Sequence, residues 1–179
     1  SMITWYDAIV WCNALSEICG YSPCYTYNGQ VLRDSSVTYE IDLCVCDFSA
    51  NGFRLPTETE WEYAARVNVT KDKVVVEKSN VESGASWNFL NSTGTMDIGS
   101  APIENLSMEA LSNQIDGGNL SGIFDMSGNV LEYCFDWYGE YNLEKEGVQN
   151  AGNQFGSERV SRGGSFSEYT PFLHAGDRY

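Results

Sequence analysis

The chain has 179 residues, of which 42% are hydrophobic and 13% aromatic, and this composition is typical of a globular protein with a substantial core. Ten basic residues stand against 25 acidic ones, so the formal net charge at pH 7 is −15. Nucleic acids and anionic membrane surfaces both bind cationic protein surfaces, and this charge argues against either as a partner. The sequence contains no apolar run of about 18 residues, so we expect no direct membrane insertion by this chain.

The cysteines leave the redox chemistry open. None of them forms a C-x-x-C pair, and the single histidine, His174, cannot complete a typical zinc cluster. An even number permits disulfides, while buried thiols are the simpler interpretation. The six positions are Cys12, Cys19, Cys24, Cys44, Cys46 and Cys134.

The first predicted element is a helix in TWYDAIVWCNALSEICG. Thr4 is a plausible N-cap with Asp7 three residues later, and Gly20 suits the left-handed position that ends a helix. Helical spacing places one apolar face toward the core, made of Trp5, Ala8, Ile9, Cys12 and Leu15.

A hairpin follows in CYTYNGQVL, where Asn28 and Gly29 suit a tight turn whose two central residues have positive φ. The stretch 33–50 alternates loosely and predicts an irregular strand.

A second helix is predicted in FRLPTETEWEYAARV. Thr57 and Glu60 form a capping box after Pro56. We expect an apolar face toward the core and a charged face in solvent; the apolar face holds Trp61, Ala64 and Ala65, and the charged face holds Glu58, Glu62 and Arg66.

Regular patterns fade after this helix. The alternating charges around Val74–Val76 suit an exposed hairpin, and the Ser/Asn/Gly-rich stretch 79–118 predicts long loops. So much loop is uncommon in a compact domain unless the fold is built that way or the loops are functional.

Four stretches carry a family resemblance when taken in order: TWYDAIVWCNALS, FSANGFRLPTETEWEYAAR, GIFDMSGNVLEYCFDWYG and RVSRGGSF. Together they resemble the formylglycine-generating enzyme family, also called the sulfatase-modifying factor domain. The resemblance implies an α+β, C-type-lectin-like fold with two main helices, small twisted antiparallel sheets and high loop content. It implies one domain over residues 1–179. Family domains usually begin with strands before WYDA and end in a G-F-R strand, and we expect this chain to lack both.

The resemblance also implies a calcium site in DMSGNVLE. Calcium prefers six to eight oxygen ligands, including backbone carbonyls and a carboxylate. The positions that match the family's calcium loop are Asp125, Gly128, Val130 and Glu132. The alternative is that Asp125 and Glu132 only hydrogen-bond a tight turn.

The family's oxidase needs two cysteines after R-x-x-GGS that bind copper as thiolates, soft ligands suited to a cuprous ion. In this sequence the two positions hold Glu168 and Leu173. We therefore expect no copper and no oxidase activity. The related iron-dependent sulfoxide synthases use a three-histidine site, which one histidine cannot supply.

The end of the chain, after RGGS, mixes aromatic, apolar and polar residues without a period. This mixture resembles the variable region of proteins diversified by bacterial retroelements, whose adenine-directed mutagenesis yields a characteristic residue set. Every residue from Ser167 to Asp177 except Glu168 belongs to that set. Rigid aromatics with small polar residues are also typical of binding surfaces. The candidate ligand-binding residues are Phe166, Ser167, Glu168, Tyr169, Thr170, Phe172, Leu173, His174, Asp177 and Tyr179.

The sequence therefore predicts a non-catalytic display module whose variable loop, about residues 166–179, recognises a protein or glycan ligand. Two alternatives stay open: a pseudoenzyme with one fixed protein or glycan ligand, and an oxidase relative. In either binding interpretation Phe166 and Phe172 could instead belong to the core. Display implies an extracellular or bacterial cell-surface location.

Overall fold

The computed structural model describes residues 3–69, 74–76, 86–100, 123–140, 153, 155–169 and 172–179. Within these ranges the chain forms three helices and seven short strands. The helices are α1 (Trp5–Ile18), α2 (Thr38–Asp42) and α3 (Glu58–Arg66). The strands are β1 (Tyr25–Tyr27), β2 (Gln30–Val31), β3 (Val45–Cys46), β4 (Val67–Val69), β5 (Val74–Val76), β6 (Glu132–Trp137) and β7 (Arg159–Arg162). No helix in these ranges is both long and apolar enough to cross a membrane.

The chain divides into two compact units, residues 1–56 and 57–179. In the first unit, α1 begins and ends as predicted. Thr4 and Asp7 form a reciprocal capping box. After the helix, Gly20 has φ +74°, and the Tyr21 N–H donates to the Ser16 carbonyl at 2.8 Å, which is the Schellman arrangement. Helix α1 therefore has both ends satisfied by local sequence.

The predicted apolar face of α1 is confirmed in large part, because Trp5, Ala8, Ile9 and Cys12 are buried and Leu15 is half-buried. The same face also buries Asn13, which was not predicted to lie there. Its amide N–H groups donate to the carbonyls of Tyr25 and Leu32 at 2.8 and 3.0 Å, and its oxygen accepts from the Tyr25 N–H at 3.0 Å. Asn13 thus fastens the first hairpin to α1.

That hairpin confirms the Asn-Gly prediction. Asn28 and Gly29 have φ values of +48° and +75°, and strands β1 and β2 pair with Tyr27 opposite Gln30. Strand β3 pairs antiparallel with the other edge of β1, so the sheet order is β2-β1-β3.

The six cysteines form no disulfide.

The stretch 33–50 differs from the prediction of an irregular strand. It holds the five-residue helix α2 and only a two-residue strand, β3. Helix α2 has no side-chain cap, and Ile41 is its one buried residue. Because a single apolar residue defines no helical period, the local sequence contained no signal for α2.

The second unit begins with α3, whose capping box is confirmed. The Thr57 N–H donates to the Glu60 carboxylate at 2.8 Å, and the Glu60 N–H donates to the Thr57 hydroxyl at 3.2 Å. Strands β4 and β5 pair antiparallel, so Val74–Val76 belong to a paired strand as the predicted hairpin requires, but the partner strand lies before residue 71, at Val67–Val69.

Strands β6 and β7 pair antiparallel, with Glu132 opposite Arg162. The core beneath them is a cluster of buried side chains against which Ala65 and Met126 pack: Trp61, Cys134, Val160 and Ala175. Within β7, Ser161 exchanges backbone hydrogen bonds of 2.7 and 3.0 Å with Tyr179. The final residue therefore lies along the outer edge of β7.

We expect Asn13→Leu to lower the free energy of unfolding by about 2–4 kcal/mol, because the backbone groups of Tyr25 and Leu32 lose buried partners. The matched control is Ala14→Leu, at the exposed neighbouring position, which should leave stability close to that of the wild type. Urea denaturation measures both. Equal stabilities of the two variants would contradict the role assigned to Asn13.

Candidate functional site

The C-terminal segment leaves β7 through two glycines with positive φ, +88° at Gly163 and +69° at Gly164. Glycine adopts this conformation without the cost that a Cβ imposes. A Cβ on Gly164 would lie 2.3 Å from Cδ2 of Leu173 and 2.7 Å from Oε2 of Glu168. The glycine pair therefore lets the segment fold back tightly on itself.

Those two neighbours are the residues at which the family resemblance places the copper-binding cysteines. Leu173 is fully buried, and the Glu168 carboxylate accepts a hydrogen bond from the Ser165 N–H at 2.8 Å. An alkyl group cannot bind a cuprous ion, and a carboxylate is a hard ligand poorly suited to one. In this segment the two positions hold the backbone in place.

Arg162 anchors the segment from its beginning. Its side chain is fully buried, and its guanidinium lies 5.1 Å from the centre of the Trp61 ring. Nη2 donates to the carboxylate of Glu62 in α3, and Nη1 donates to the carbonyl of Asp177 at 2.7 Å. One side chain therefore ties the end of β7 to both α3 and the last turn of the segment.

Arg178 anchors the segment from its other end. Its Nη2 donates to Oε2 of Glu58 at 2.8 Å, and Nη1 donates to the carbonyl of Gly139 at 2.6 Å. The same Glu58 carboxylate lies 3.4 Å from Nε of Arg162. Two arginines therefore share one carboxylate at the start of α3.

The prediction that Glu58 is solvated is wrong. Glu58 is 6% exposed, because Arg162 and Arg178 reach it from more than 100 residues away in sequence. Its backbone N–H donates to the carboxylate of Asp136 at 2.6 Å. Burial raises the pKa of Asp136, and the nearby Glu58 carboxylate adds to the increase. Glu62 and Arg66, also predicted to be solvated, are half-buried and form an ion pair of 2.9 Å.

The outer face of the segment presents aromatic side chains. Tyr169 and Phe172 are exposed, as is Ser167, so Phe172 does not belong to the core. Half-buried side chains surround them, those of Phe166, Glu168, His174, Asp177 and Tyr179. Leu173 differs from the expectation of a ligand contact, since it has no exposed surface and packs beside Gly164. Thr170 lies outside the described residues.

The carboxylates of Glu168 and Asp177 lie close to this outer face, near the Tyr179 hydroxyl. The Tyr179 hydroxyl donates to the carbonyl of Phe172. Burial raises the pKa of Tyr179 to about 12, and the negative charges of Glu168 and Asp177 add to the increase. The segment therefore combines exposed aromatic rings with two carboxylates close to the Tyr179 hydroxyl.

A turn that sequence reasoning missed supplies two further exposed side chains, those of Phe89 and Leu90. The Phe89 ring lies 4.8 Å from the Tyr169 ring, and the Phe89 N–H donates to the Glu168 carbonyl at 2.9 Å. In the sequence WNFLNS nothing distinguishes Phe89 from a core residue, so only the tertiary structure could reveal this contact.

In the loop predicted to bind calcium, three residues have a left-handed backbone conformation. Asp125, Gly128 and Asn129 have φ values of +56°, +83° and +63°. The Gly128 N–H donates to the carbonyl of Gly163 at 2.7 Å, and a Cβ on Gly128 would lie 2.2 Å from the carbonyl oxygen of Trp87. The glycine therefore permits a close approach between this loop and its neighbours.

The two carboxylates of this loop both accept hydrogen bonds. Asp125 accepts from the side chain of Asn129 at 3.1 Å, and Glu132 accepts from the indole N–H of Trp61 at 2.6 Å. Burial raises the pKa of Glu132 and the charge of Asp125 adds to the increase, whereas the Trp61 hydrogen bond opposes it. Val130, the fourth predicted position, is exposed. Among the described residues no group of three or more His, Cys, Asp or Glu side chains could hold a metal ion.

Asn129 joins this loop to its neighbours, a role that sequence reasoning did not assign. Its side chain is buried and exchanges hydrogen bonds of 3.0 Å with the backbone N–H and carbonyl of Met96. Its carbonyl accepts from the Phe166 N–H at 3.0 Å. The signal that could have found it is an Asn following Gly128, since Asn tolerates positive φ.

The chain belongs to the sulfatase-modifying factor enzyme 1-like domain family, whose model matches residues 1–179. This membership confirms the predicted family.

The similar proteins include a protein named as a chaperone and formylglycine-generating enzymes. Chaperone protein LppX of Paenibacillus barcinonensis is 32% identical over 145 residues, which cover 76% of this chain and 51% of that protein. The formylglycine-generating enzyme of Streptomyces coelicolor is 33% identical over 117 residues, 64% of this chain and 36% of that enzyme. The chain thus spans about half or less of the length of these relatives.

Among solved structures, Treponema denticola variable protein 1 matches with a TM-score of 0.74 and 29% identity, covering 99% of this chain and 63% of that one. CarF matches with a TM-score of 0.62 at 22% identity, covering 99% of this chain and 59% of that one, and this likeness concerns the fold alone. The α+β, lectin-type fold and the resemblance to variable proteins are confirmed.

We expect Arg162→Met to lower the free energy of unfolding by about 3–5 kcal/mol, because it leaves the buried Glu58 with one arginine and Glu62 with one ion pair fewer. The control is Arg33→Met, which removes a solvent-exposed ion pair with Glu17 and should leave stability close to wild type. Chemical denaturation compares the two. Similar losses in both variants would rule out a special role for Arg162.

Proposed function

We propose that the chain is a non-catalytic binding module that presents a ligand-binding surface at residues 166–179 on a rigid lectin-type scaffold. One observation carries the proposal: the segment is held by buried groups while its outer side chains remain exposed. Leu173 and Arg162 are fully buried, whereas Tyr169 and Phe172 are exposed. Changing the exposed side chains would therefore leave the anchors intact.

The similarity to Treponema denticola variable protein 1 supports this proposal. So does Glu168, the one residue from Ser167 to Asp177 outside the set that retroelement mutagenesis yields. Its carboxylate and its N–H both bond to Ser165, and its carbonyl accepts from Phe89. The residue that does not fit the diversified set is thus one that holds the backbone. Display of such a surface fits an extracellular or cell-surface location.

The proposed module has no oxidase activity. Enzymes are among the relatives, but the positions of the copper-binding cysteines hold Glu168 and Leu173. The alternative is a module that binds one fixed protein or glycan ligand. The neighbouring genes distinguish it from a diversified display module. A reverse transcriptase with a near-identical template repeat supports diversification, and its absence supports a fixed ligand.

We expect a triple variant of exposed positions, Ser167→Tyr with Tyr169→Ser and Phe172→Asn, to lose only about 1–2 kcal/mol of stability, chiefly the aromatic contact with Phe89. The control is Leu173→Asn in the same segment, which places an amide in a fully buried site and should cost about 3–5 kcal/mol. Thermal and urea unfolding measure both. If the triple variant unfolds as readily as Leu173→Asn, the segment is not a tolerant display surface.

We also propose that the loop containing Asp125, Gly128, Val130 and Glu132 binds calcium. The left-handed turns at Asp125 and Gly128 suit a loop that aims backbone carbonyls at one point. The carboxylates of Asp125 and Glu132 are close enough to repel each other, and a divalent cation would remove that repulsion. The ion would brace the loop whose Gly128 N–H supports Gly163.

We expect chelation of calcium to lower the Tm of the wild type, because an ion that binds only the folded state stabilises it. Glu132→Gln should have a lowered Tm that chelator and added calcium no longer change, although its amide oxygen can still accept from Trp61. The exposed Glu140→Gln is the control and should respond to calcium like the wild type. A wild-type Tm that is insensitive to chelator would favour the alternative, in which both carboxylates only hydrogen-bond the turn.

A further inference from the structure

Four exposed apolar side chains belong to two turns that are joined by direct contacts. Phe89 and Leu90 are 54% and 66% exposed, and Tyr169 and Phe172 are 49% and 57% exposed. The Phe89 and Tyr169 rings lie 4.8 Å apart at an interplanar angle of 47°. The Phe172 N–H donates to the Tyr169 carbonyl at 2.9 Å. We call these four residues the aromatic platform.

The turn that carries Phe89 and Leu90 is held by a network of side-chain hydrogen bonds. Asn88 is buried, its amide donates to the Ser86 carbonyl at 3.1 Å, and its oxygen accepts from the Leu90 N–H at 2.9 Å. Asn91 accepts from the Asn88 N–H at 2.8 Å and donates to Ser86 at 2.9 Å. Exposed apolar side chains on a turn held in this way lose little entropy when a partner covers them.

The backbone, and not only the rings, joins the two turns. The Phe89 N–H donates to the Glu168 carbonyl at 2.9 Å, and Glu168 is bonded to Ser165 through both its carboxylate and its N–H. The placement of Phe89 beside residue 169 therefore does not depend on which side chain residue 169 carries.

We propose that Phe89 and Leu90 form a fixed half of the ligand-binding surface, and that the partner is a polypeptide segment with basic residues beside an apolar anchor. This inference rests on the proposed binding function and names the partner of that same surface. Tyr169 and Phe172 form the other half, which differs from the fixed half in lying within the variable segment.

The charge around the platform selects a basic partner. The carboxylates of Glu168 and Asp177 lie close enough to Tyr179 to act on its hydroxyl, which bonds to Phe172. The nearest arginines of the segment, Arg162 and Arg178, direct their guanidinium groups to Glu62 and Glu58. With a net charge of −15, the chain repels acidic partners and second copies of itself.

The apolar character of the platform favours a polypeptide over a sugar. A sugar presents hydroxyls that need several convergent polar partners, because a buried hydroxyl without one is costly. Here the four exposed side chains offer a single polar group, the Tyr169 phenol, so the platform itself has few partners for sugar hydroxyls. Aromatic side chains are instead the preferred anchors of protein interfaces.

The test is a selection of phage-displayed random dodecapeptides on the immobilised protein, followed by affinity measurements with the synthetic peptides that emerge. We expect a consensus of Lys or Arg next to a bulky apolar residue, with affinity that falls as NaCl rises. Phe89→Ser and Phe172→Ser should each weaken binding about tenfold or more. The control is Phe155→Ser, an exposed phenylalanine outside the platform, which should bind as the wild type does.

Other results of this experiment would contradict particular parts of the proposal. Full affinity in Phe89→Ser and Leu90→Ser with loss in Phe172→Ser would overturn the fixed half and leave the proposed function standing. Full affinity in all three variants would overturn both the fixed half and the proposed function. So would the absence of any ligand from both the peptide selection and a glycan array. An acidic or uncharged consensus would overturn the partner's chemistry, and binding on a glycan array without any peptide would overturn its class. Unchanged circular dichroism and Tm ensure that the variants are folded.

Discussion

The carboxylate of Glu58 is the point on which the C-terminal segment depends. It lies at the first residue of α3 and meets Arg178 near the chain's end and Arg162 at the end of β7. Taking such charges out of water is costly, so the arrangement is stable only while each partner is present. Arg178 hydrogen-bonds to the carboxylate and Arg162 forms an ion pair with it, so Glu58 holds both ends of the backbone between the two arginines.

The path of that backbone explains the division of the segment into anchors and exposed groups. Gly163 and Gly164 turn the chain so sharply that Leu173 reaches the space beside Gly164, where a Cβ would not fit. With Leu173 buried and Glu168 bonded to Ser165, the side chains of Tyr169 and Phe172 between them are exposed. Glu168 and Leu173, where the family resemblance places the oxidase's copper-binding cysteines, hold the backbone of the segment in this chain.

Much of the fold could be predicted from local sequence. The caps of α1 and α3, the Asn28-Gly29 turn and the apolar face of α1 all depend on residues a few positions apart, and the structure confirms them. The site was less accessible. Local patterns predicted that Glu58 is solvated, that Leu173 contacts a ligand, and that residues 33–50, which contain α2, form a strand. In the structure Glu58 and Leu173 are buried and α2 is a helix, because of contacts that no local pattern records.

The sequence by itself determined the family, the Asn28-Gly29 turn and the ends of α1, because these follow from residue identity and short spacing. Only the tertiary structure decided that Leu173 is an anchor while Tyr169 and Phe172 are exposed, and that Phe89 lies beside Tyr169. The reason is physical: burial and ion pairing join residues that are many positions apart, so a side chain's role depends on partners that its own neighbourhood does not contain.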